Sequence, residues 1–491
     1  MYKIVSGSDQ NLTDVRMFIE VINKLDQNEI SEERFLFDKK NDLIVTRAPG
    51  RLDVMGGFAD YSGSLVLQLP TKEAALSAIQ LTADRKIKVV SLSAENTKRC
   101  SYFEMPLDDF LSSGKPIDYG AAQKYFQGDP ARQWAAYVAG AFLILMKEKK
   151  IEFKQGAKIL IHSDVPEGKG VSSSAALEVA AMQSIAAAFK IKIEVRELAL
   201  LCQKVENLIV GAPCGVMDQM TAVCGKKNRL MSLLCQPAEL KESLEIPDEI
   251  AFWGIDSGVR HSVAGADYGS VRVGAFMGYR ILSEIAKFKV TNNKEKGRVE
   301  IRDSVWNGYL SNISPSLFEQ NFAKNIPHQI KGEEFLRKYG GITDSVTQIE
   351  PSRSYAVRMP TRHPIYENFR VHSFAELLQR PVTNQKLNLL GELMYQSHFS
   401  YSACGLGSEG TDLLVNLVRD VGVKQGLFGA KISGGGSGGT VVVMGRKNAY
   451  EFIEKIAEEY KSQTGIEPYI FKDSSVGANE FGHLILKKEA L

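Results

Sequence analysis

The chain has 491 residues, of which 44% are hydrophobic and 24% charged, with a net charge of +2. That is ordinary globular composition, with ample material for a core and for two or more domains. The near-neutral balance gives no reason to expect nucleic acid as a partner. No run approaches the roughly 18 apolar residues of a bilayer span, so no membrane is expected either.

Met1–Leu12 is polar and lacks the apolar stretch of a secretory leader. The six cysteines (Cys100, Cys202, Cys214, Cys224, Cys235 and Cys404) show no C-x-x-C spacing. Reduced thiols and a cytoplasmic location are the expectation. The seven histidines are scattered without an H-E-x-x-H pattern, which argues against a transition metal held by protein side chains.

Residues 1–40 read as a charged, helical lead-in. Strands then dominate: Leu43–Thr46, Ser64–Leu69, Ala74–Leu81, Lys86–Ser91 and Ser101–Glu104 carry β-branched or alternating apolar residues. Helical periodicity follows at Arg132–Lys147, Ser173–Phe189 and Val195–Val210, with strands at Lys158–His162 and Phe252–Ile255. Asn292–Ser354 is polar and weakly periodic, and reads as an irregular, partly helical insertion. Helices return at Gln385–Tyr401, Thr411–Asp420 and Ala449–Thr464. Strands followed by helices, twice, predict an α+β chain of two lobes. The expected division is a lead-in over 1–40, one lobe over 41–250 and a second over 251–491, with the insertion near 292–354.

Four stretches carry chemistry. In Arg47–Tyr61 a strand leads into a glycine-rich turn with Arg51 and Asp60 nine residues apart. Such a pair can hold a polyol, and it also fits a solvated surface turn. In Val165–Ala187 a loop with Gly168 and Gly170 runs through Ser172, Ser173 and Ser174 into an Ala-rich helix. Glycines permit close backbone approach, serines cap the helix, and its first turn offers free N–H groups at the positive end of a dipole. That makes a seat for phosphate; an ordinary capped core helix has the same pattern. It is not a Walker A loop, because Lys115, Lys169 and Lys226 follow glycine without a Ser or Thr behind them.

In Cys202–Met220, Glu206 lies on a predicted helix, Pro213 and Gly215 break it, and Asp218 opens the next element. Two carboxylates across a tight break can share one site, as phosphoryl transfer requires; they can also be two helix-surface acids. Asp218 sits between Met217 and Met220, which favours burial. In Ala430–Val443, Gly434, Gly436 and Gly439 match G-x-G-x-x-G, but a strand follows, so a dinucleotide site is not expected. A glycine loop between strands suits close approach to a ligand or to another loop, or a flexible hairpin. Gly405, Gly407 and Gly410 repeat the pattern between two predicted helices and read as chance.

Taken in order, these stretches resemble the motifs of the GHMP small-molecule kinases. Asp256–Ser262 followed by Tyr268 is similar to the galactokinase branch. Val210–Met220, Gly254–Met277 and Arg362–Arg370 look like the kinase portion of plant L-arabinokinases, a group within it. The likeness runs from about Arg47 to Gly477. It implies an N-terminal lobe similar to ribosomal protein S5 domain 2, a ferredoxin-like C-terminal lobe, and transfer of the ATP γ-phosphoryl group to the anomeric hydroxyl of a monosaccharide.

By this resemblance ATP lies along Pro166, Gly168, Lys169, Gly170, Val171, Ser172, Ser173, Ser174 and Ala175. Ser174 and Glu206 match Mg²⁺ ligands, Asp218 the catalytic aspartate and Arg51 the arginine beside it. Asp60, Cys214, Gly215, Tyr268 and Gly436 match sugar-contacting positions. Galactokinases carry Glu-His where this chain has Gly57 and Phe58. Those side chains meet the sugar's C6 hydroxyl, so their absence points to L-arabinose, which lacks the hydroxymethyl group. Gly57 and Phe58 are therefore expected to line that end of the pocket. Galactose or another sugar is the alternative, and a non-catalytic sugar sensor a more distant one; the intact Ser172–Ala176 loop and Asp218 favour an enzyme. Lys169, where relatives have Gly, is expected either to touch phosphate or to be solvated. The sequence leaves the oligomeric state open.

Overall fold

The computed structural model describes residues 1–27, 34–92, 101–259, 268–292, 297–379 and 381–488. Cys100, and the Arg260, His261 and Ser262 of the Asp256–Ser262 motif, lie outside them.

Two long antiparallel strands, Leu43–Met55 and Leu65–Thr82, form the spine of the first lobe. Leu65–Thr82 replaces the two shorter strands expected there, because Pro70 sits opposite Arg51 at a register shift and does not break the ladder. Leu43–Met55 likewise runs straight through Pro49 and Gly50, with bulges at Pro49/Arg51 and Asp53/Met55. Arg51 is thus a strand residue. Asp60 stands apart from it, opening the short 3₁₀ turn Asp60–Ser62, and the two do not share one loop.

Gly156–Ser163 continues the sheet beside Leu65–Thr82, followed by Lys86–Ser91 and Tyr102–Pro106; Arg229–Leu234 pairs with the early half of Leu65–Thr82. On the other edge lie Leu484–Lys488 and then Tyr2–Ser6. The lead-in is therefore a strand followed by the helix Thr13–Lys24, not helix throughout. Among the described residues the last strand, Leu484–Lys488, belongs to the first lobe's sheet. The helix Ser173–Ala188 packs its alanines on the sheet: Ala176, Ala180 and Ala181 are fully buried, and the small side chains let it lie close.

The second lobe is a four-stranded antiparallel sheet in the order Leu427–Ile432, Thr440–Arg446, Ile250–Asp256, Ile470–Phe471. Helices Glu409–Val421 and Tyr450–Thr464 cover one face through Leu414, Val418, Ile453 and Tyr460. Asn384–Ala403 covers the other through Leu387, Leu390 and Met394.

Two further helices, Tyr268–Ile285 and Arg358–Leu378, pack together and were not expected from periodicity. Glycines dilute the first pattern, and Pro364 interrupts the second. The expected insertion is a set of short elements, among them Gly297–Arg302, Pro315–Asn321 and Gly332–Tyr339. They pack Trp306, Phe318 and Phe335 into a core shared with the helix Tyr268–Ile285, through Met277, Ile281 and Leu282.

Buried polar contacts join the lobes. Lys431 Nζ donates to Asp53 Oδ2 at 2.7 Å, with neither side chain exposed at all. The amide of Asp53 donates to Ser433 Oγ, and Lys169 pairs with Asp256 at 2.6 Å.

Candidate active site

A cavity of about 520 Å³ opens between the lobes, lined by the serine loop, Arg51, Asp218 and Gly435. Gly168 and Gly170 both have φ of +70°, and Ser172 is left-handed at +62°, so the chain curls tightly before Ser173–Ala188 begins. Ser172 does not cap the helix. Its hydroxyl is buried and makes no hydrogen bond, which leaves the first-turn N–H groups uncapped by it. Gly168, Gly170, Ser172, Ser173 and Ser174 line the cavity. Val171 and Ala175 are buried beneath it, and Pro166 is not among its walls.

Lys169 turns to Asp256, and its carbonyl accepts from Thr440 Oγ1 at 2.8 Å, so it latches the lobes and is neither a solvated lysine nor one aimed at the cavity. The glycine loop 434–439 supports this arrangement. Cβ atoms at Gly434 or Gly439 would press on the backbone of Lys169–Gly170, so this loop serves close approach to another loop. Gly436 backs onto Leu406. Trp134 and Tyr137 also line the cavity; they sit in an apolar helical run that offered no motif to notice.

Arg51 is held at 3% exposure. Its Nε and Nη2 each donate to Asp218 at 3.0 Å, and Nη1 donates to the Gly170 carbonyl at 2.6 Å. Asp218 opens the helix Met217–Cys224, whose N-terminal dipole also favours its charge. Near Asp218 lies Asp60, 4% exposed. Burial first, and then the nearby Asp218 charge, push its carboxyl up to about 6. A Cβ at Gly215 would overlap this carboxylate, so only glycine fits there. Asn207 clamps the backbone of Cys214, accepting from its N–H at 2.8 Å. Tyr268 meets Tyr61 edge-on at 5.9 Å. Asp60, Cys214, Gly215 and Tyr268 thus come together.

Sequence reasoning missed what fixes this side. Arg272, one turn beyond Tyr268, donates to both Asp344 oxygens at 2.9 and 2.8 Å and to the Cys214 carbonyl at 3.1 Å. Asp344 belongs to the insertion, so those residues hold the Cys214 loop in place.

Gly57 and Phe58 do not line the pocket. Phe58 is fully buried, stacked on His363 at 3.6 Å and edge-on to Tyr401 at 4.6 Å. A Cβ at Gly57 would overlap the Tyr401 hydroxyl and the Asp53 carboxylate. The Tyr401 hydroxyl fills the space that a side chain at Gly57 would need.

Glu206 sits in a π-turn, Val205–Val210, that ends the helix Val195–Lys204; the single helix expected here is broken just where the carboxylate is needed. Burial, then the Asp218 charge, push Glu206 up to about 7, against a hydrogen bond from Ser174. The Gln219 amide nitrogen bridges Glu206 at 2.7 Å and Glu178 at 3.1 Å. Burial raises Glu178 well above the ordinary carboxylate range, and its Oε1 makes no hydrogen bond. Glu178 lies inside the serine-loop motif, but its helical setting gave no sign that it faces Glu206. Among the described residues no group of three His, Cys, Asp or Glu side chains could cage a metal. The Glu206–Ser174 donor pair instead fits a hard cation that takes its other ligands from phosphate and water.

The fold is that of the GHMP kinases, and two of their domain models match this chain. Residues 136–226 match the GHMP kinases N terminal domain and 374–462 the GHMP kinases C terminal domain. Over 99% of its length the chain is 44% identical to the L-arabinokinase of Arabidopsis thaliana, of which it covers 52%; it thus spans about half the length of that relative. It is 26% identical to a galactokinase of Actinobacillus succinogenes over 87% of this chain and 92% of that one. The crystal structure of Lactococcus lactis galactokinase complexed with galactose shares the fold, with a TM-score of 0.69 and 18% identity, over 94% of this chain and 98% of that one. No helix among the described residues is long and apolar enough to cross a membrane.

Proposed function

We propose that this chain is an ATP- and Mg²⁺-dependent sugar-1-kinase that phosphorylates the anomeric hydroxyl of L-arabinose. The observation that carries the reading is Asp218, gripped by Arg51 at the mouth of a serine-loop cradle and set beside the buried Asp60. A carboxylate between a phosphate seat and a polyol seat is what phosphoryl transfer to a sugar hydroxyl requires.

The cradle's free N–H groups and serine hydroxyls hold the nucleotide phosphates. Glu206 and Ser174 hold Mg²⁺, which when bound neutralises charge on those phosphates. Asp60 and Tyr268 orient the sugar hydroxyls. Asp218 accepts the hydrogen bond of the attacking hydroxyl and takes up its proton as that oxygen bonds to the γ-phosphorus and the bond from the γ-phosphorus to the leaving ADP breaks. Arg51 keeps that carboxylate aimed and stabilises its charge.

The 44% identity to an L-arabinokinase supports the sugar. An ADP-release assay with L-arabinose, galactose, galacturonate and fucose tests the reading. L-Arabinose is expected to have the highest kcat/KM, and a higher value for galactose would replace it by a galactokinase.

A further inference from the structure

The stretch Arg362–Arg370 places its side chains on two faces of the helix Arg358–Leu378. The inward face holds the loop behind the sugar seat. His363 Nε2 lies 3.1 Å from the Gly57 carbonyl and Nδ1 2.8 Å from Ser400 Oγ. Because Gly57 O only accepts, Nε2 carries the proton and Ser400 donates to Nδ1. Glu367, fully buried, accepts from the Gly56 N–H at 3.1 Å and from Ser397 Oγ at 2.7 Å.

The outward face lines a separate cavity of about 450 Å³, between this helix and Asn384–Ala403. Arg362, Arg370 and Arg419 are among its walls. Arg362 lies over the Tyr366 ring at 4.4 Å and Arg419 over Tyr395 at 4.3 Å. Glu319 also approaches Arg362, at 3.5 Å. Guanidinium groups laid on rings present their N–H edges as forks, the geometry that matches a phosphate. Phe399, 73% exposed, walls the mouth, and Glu392 and Gln396 supply partners for hydroxyl groups. The volume is that of a small-molecule site.

Two contacts tie this cavity to the sugar loop. Ser400 lines it and bonds to His363. Arg370 lines it and donates to Glu367 at 2.7 Å. A ligand that moves either residue acts on Gly56, Gly57 and Phe58 together.

We propose that this cavity is a second binding site, for a small phosphorylated sugar unit, and that its occupancy changes the affinity of the catalytic site for sugar. The coupling half rests on the sugar-kinase reading above. The site lies on the stripe of the helix next to the one that meets the sugar loop, and shares no lining residue with the nucleotide cavity.

Calorimetry on the full chain tests it, with the nucleotide site saturated by Mg²⁺ and a non-hydrolysable ATP analogue. The probes are ribose 5-phosphate, AMP and inorganic phosphate. Ribose 5-phosphate should bind one to one, and inorganic phosphate at least about tenfold more weakly, having no hydroxyl or ring contacts. AMP binding equal to ribose 5-phosphate marks a sugar-phosphate site, and tighter AMP binding marks a nucleotide site reading its base on the aromatic wall. The double variant R362A/R419A leaves the inward face intact and should lose at least about tenfold in ribose 5-phosphate affinity, while binding L-arabinose as before in the absence of probe. Bound ribose 5-phosphate should shift the wild-type Kd for L-arabinose about fivefold or more. No binding of either organic phosphate up to about 10 mM, or binding unchanged in the double variant, overturns the site. An unshifted sugar Kd overturns the coupling. Failure of the wild type to bind L-arabinose at all strikes the sugar-kinase reading instead, and leaves the probe result standing.

Discussion

Arg51 and Asp218 meet as two forks, Nε on Oδ1 and Nη2 on Oδ2, each at 3.0 Å, and the arginine's remaining nitrogen is anchored to the Gly170 carbonyl. One side chain thereby fixes both the aspartate and the phosphate loop. Asp218→Asn should keep the melting temperature and nucleotide binding but lose about 10²–10⁴-fold in kcat. Arg51→Ala should lose as much, together with some nucleotide affinity, because the Gly170 carbonyl loses its donor. Single-turnover rates beside calorimetry separate the two effects, and near-normal turnover in Asp218→Asn would remove the aspartate from the chemistry.

The raised Glu206 carboxyl sets a pH dependence. Its value climbs from the ordinary 4.5 to about 7 in the folded chain. The folded state therefore holds a proton that the unfolded state releases. That stabilisation is complete below about pH 4.5 and disappears as pH rises through 7. Asp60, raised to about 6, acts in the same direction. Magnesium needs the ionised carboxylate, so the gain in melting temperature on adding Mg²⁺ with an ATP analogue should grow from pH 6 to pH 8. In Glu206→Gln that growth should be lost, and the Mg²⁺ concentration for half-maximal rate should rise, as it should in Ser174→Ala.

Gly57 has no room for a side chain. The volume belongs to Tyr401 and Asp53, so Gly57→Ala should destabilise by about 1–3 kcal/mol through overpacking. Gly57→Glu with Phe58→His should depress kcat/KM for L-arabinose and galactose alike, with a lower melting temperature, and should not convert one preference into the other. A stable double variant that prefers galactose would show that Tyr401 yields.

The Lys431–Asp53 pair is fully buried and joins the lobes. Its Nζ also donates to the Ile432 carbonyl at 2.6 Å. Lys431→Met should cost about 3–5 kcal/mol in denaturant unfolding, because it strands the carboxylate. Adding Asp53→Leu should recover part of that loss.

Much of the site was legible because its chemistry is local. The Gly168–Ser174 loop, Asp218 and the Cys214–Gly215 break each announce themselves within a few residues. What stayed hidden is long-range. Asp344 reaches Arg272 from 72 positions away, and Tyr401 reaches Asp53 across 348, so neither spacing carries a periodic signal. The helices Tyr268–Ile285 and Arg358–Leu378 were missed because glycine and proline lower local helix preference, which tertiary packing then overrides. The misplacement of Gly57 and Phe58 has the same origin. Their positions along the loop follow from the motif, but the direction of the Phe58 ring is decided by His363, some 300 residues later.

The proposed reaction moves a phosphoryl group from ATP to the anomeric oxygen of L-arabinose. Phosphorus and carbon NMR of the product formed from L-arabinose, ATP and Mg²⁺ tests it most directly. A phosphate coupled to C1 is expected, formed by the wild type and absent with Asp218→Asn. A phosphate on any other carbon, or no ATP-dependent product from L-arabinose, would contradict it.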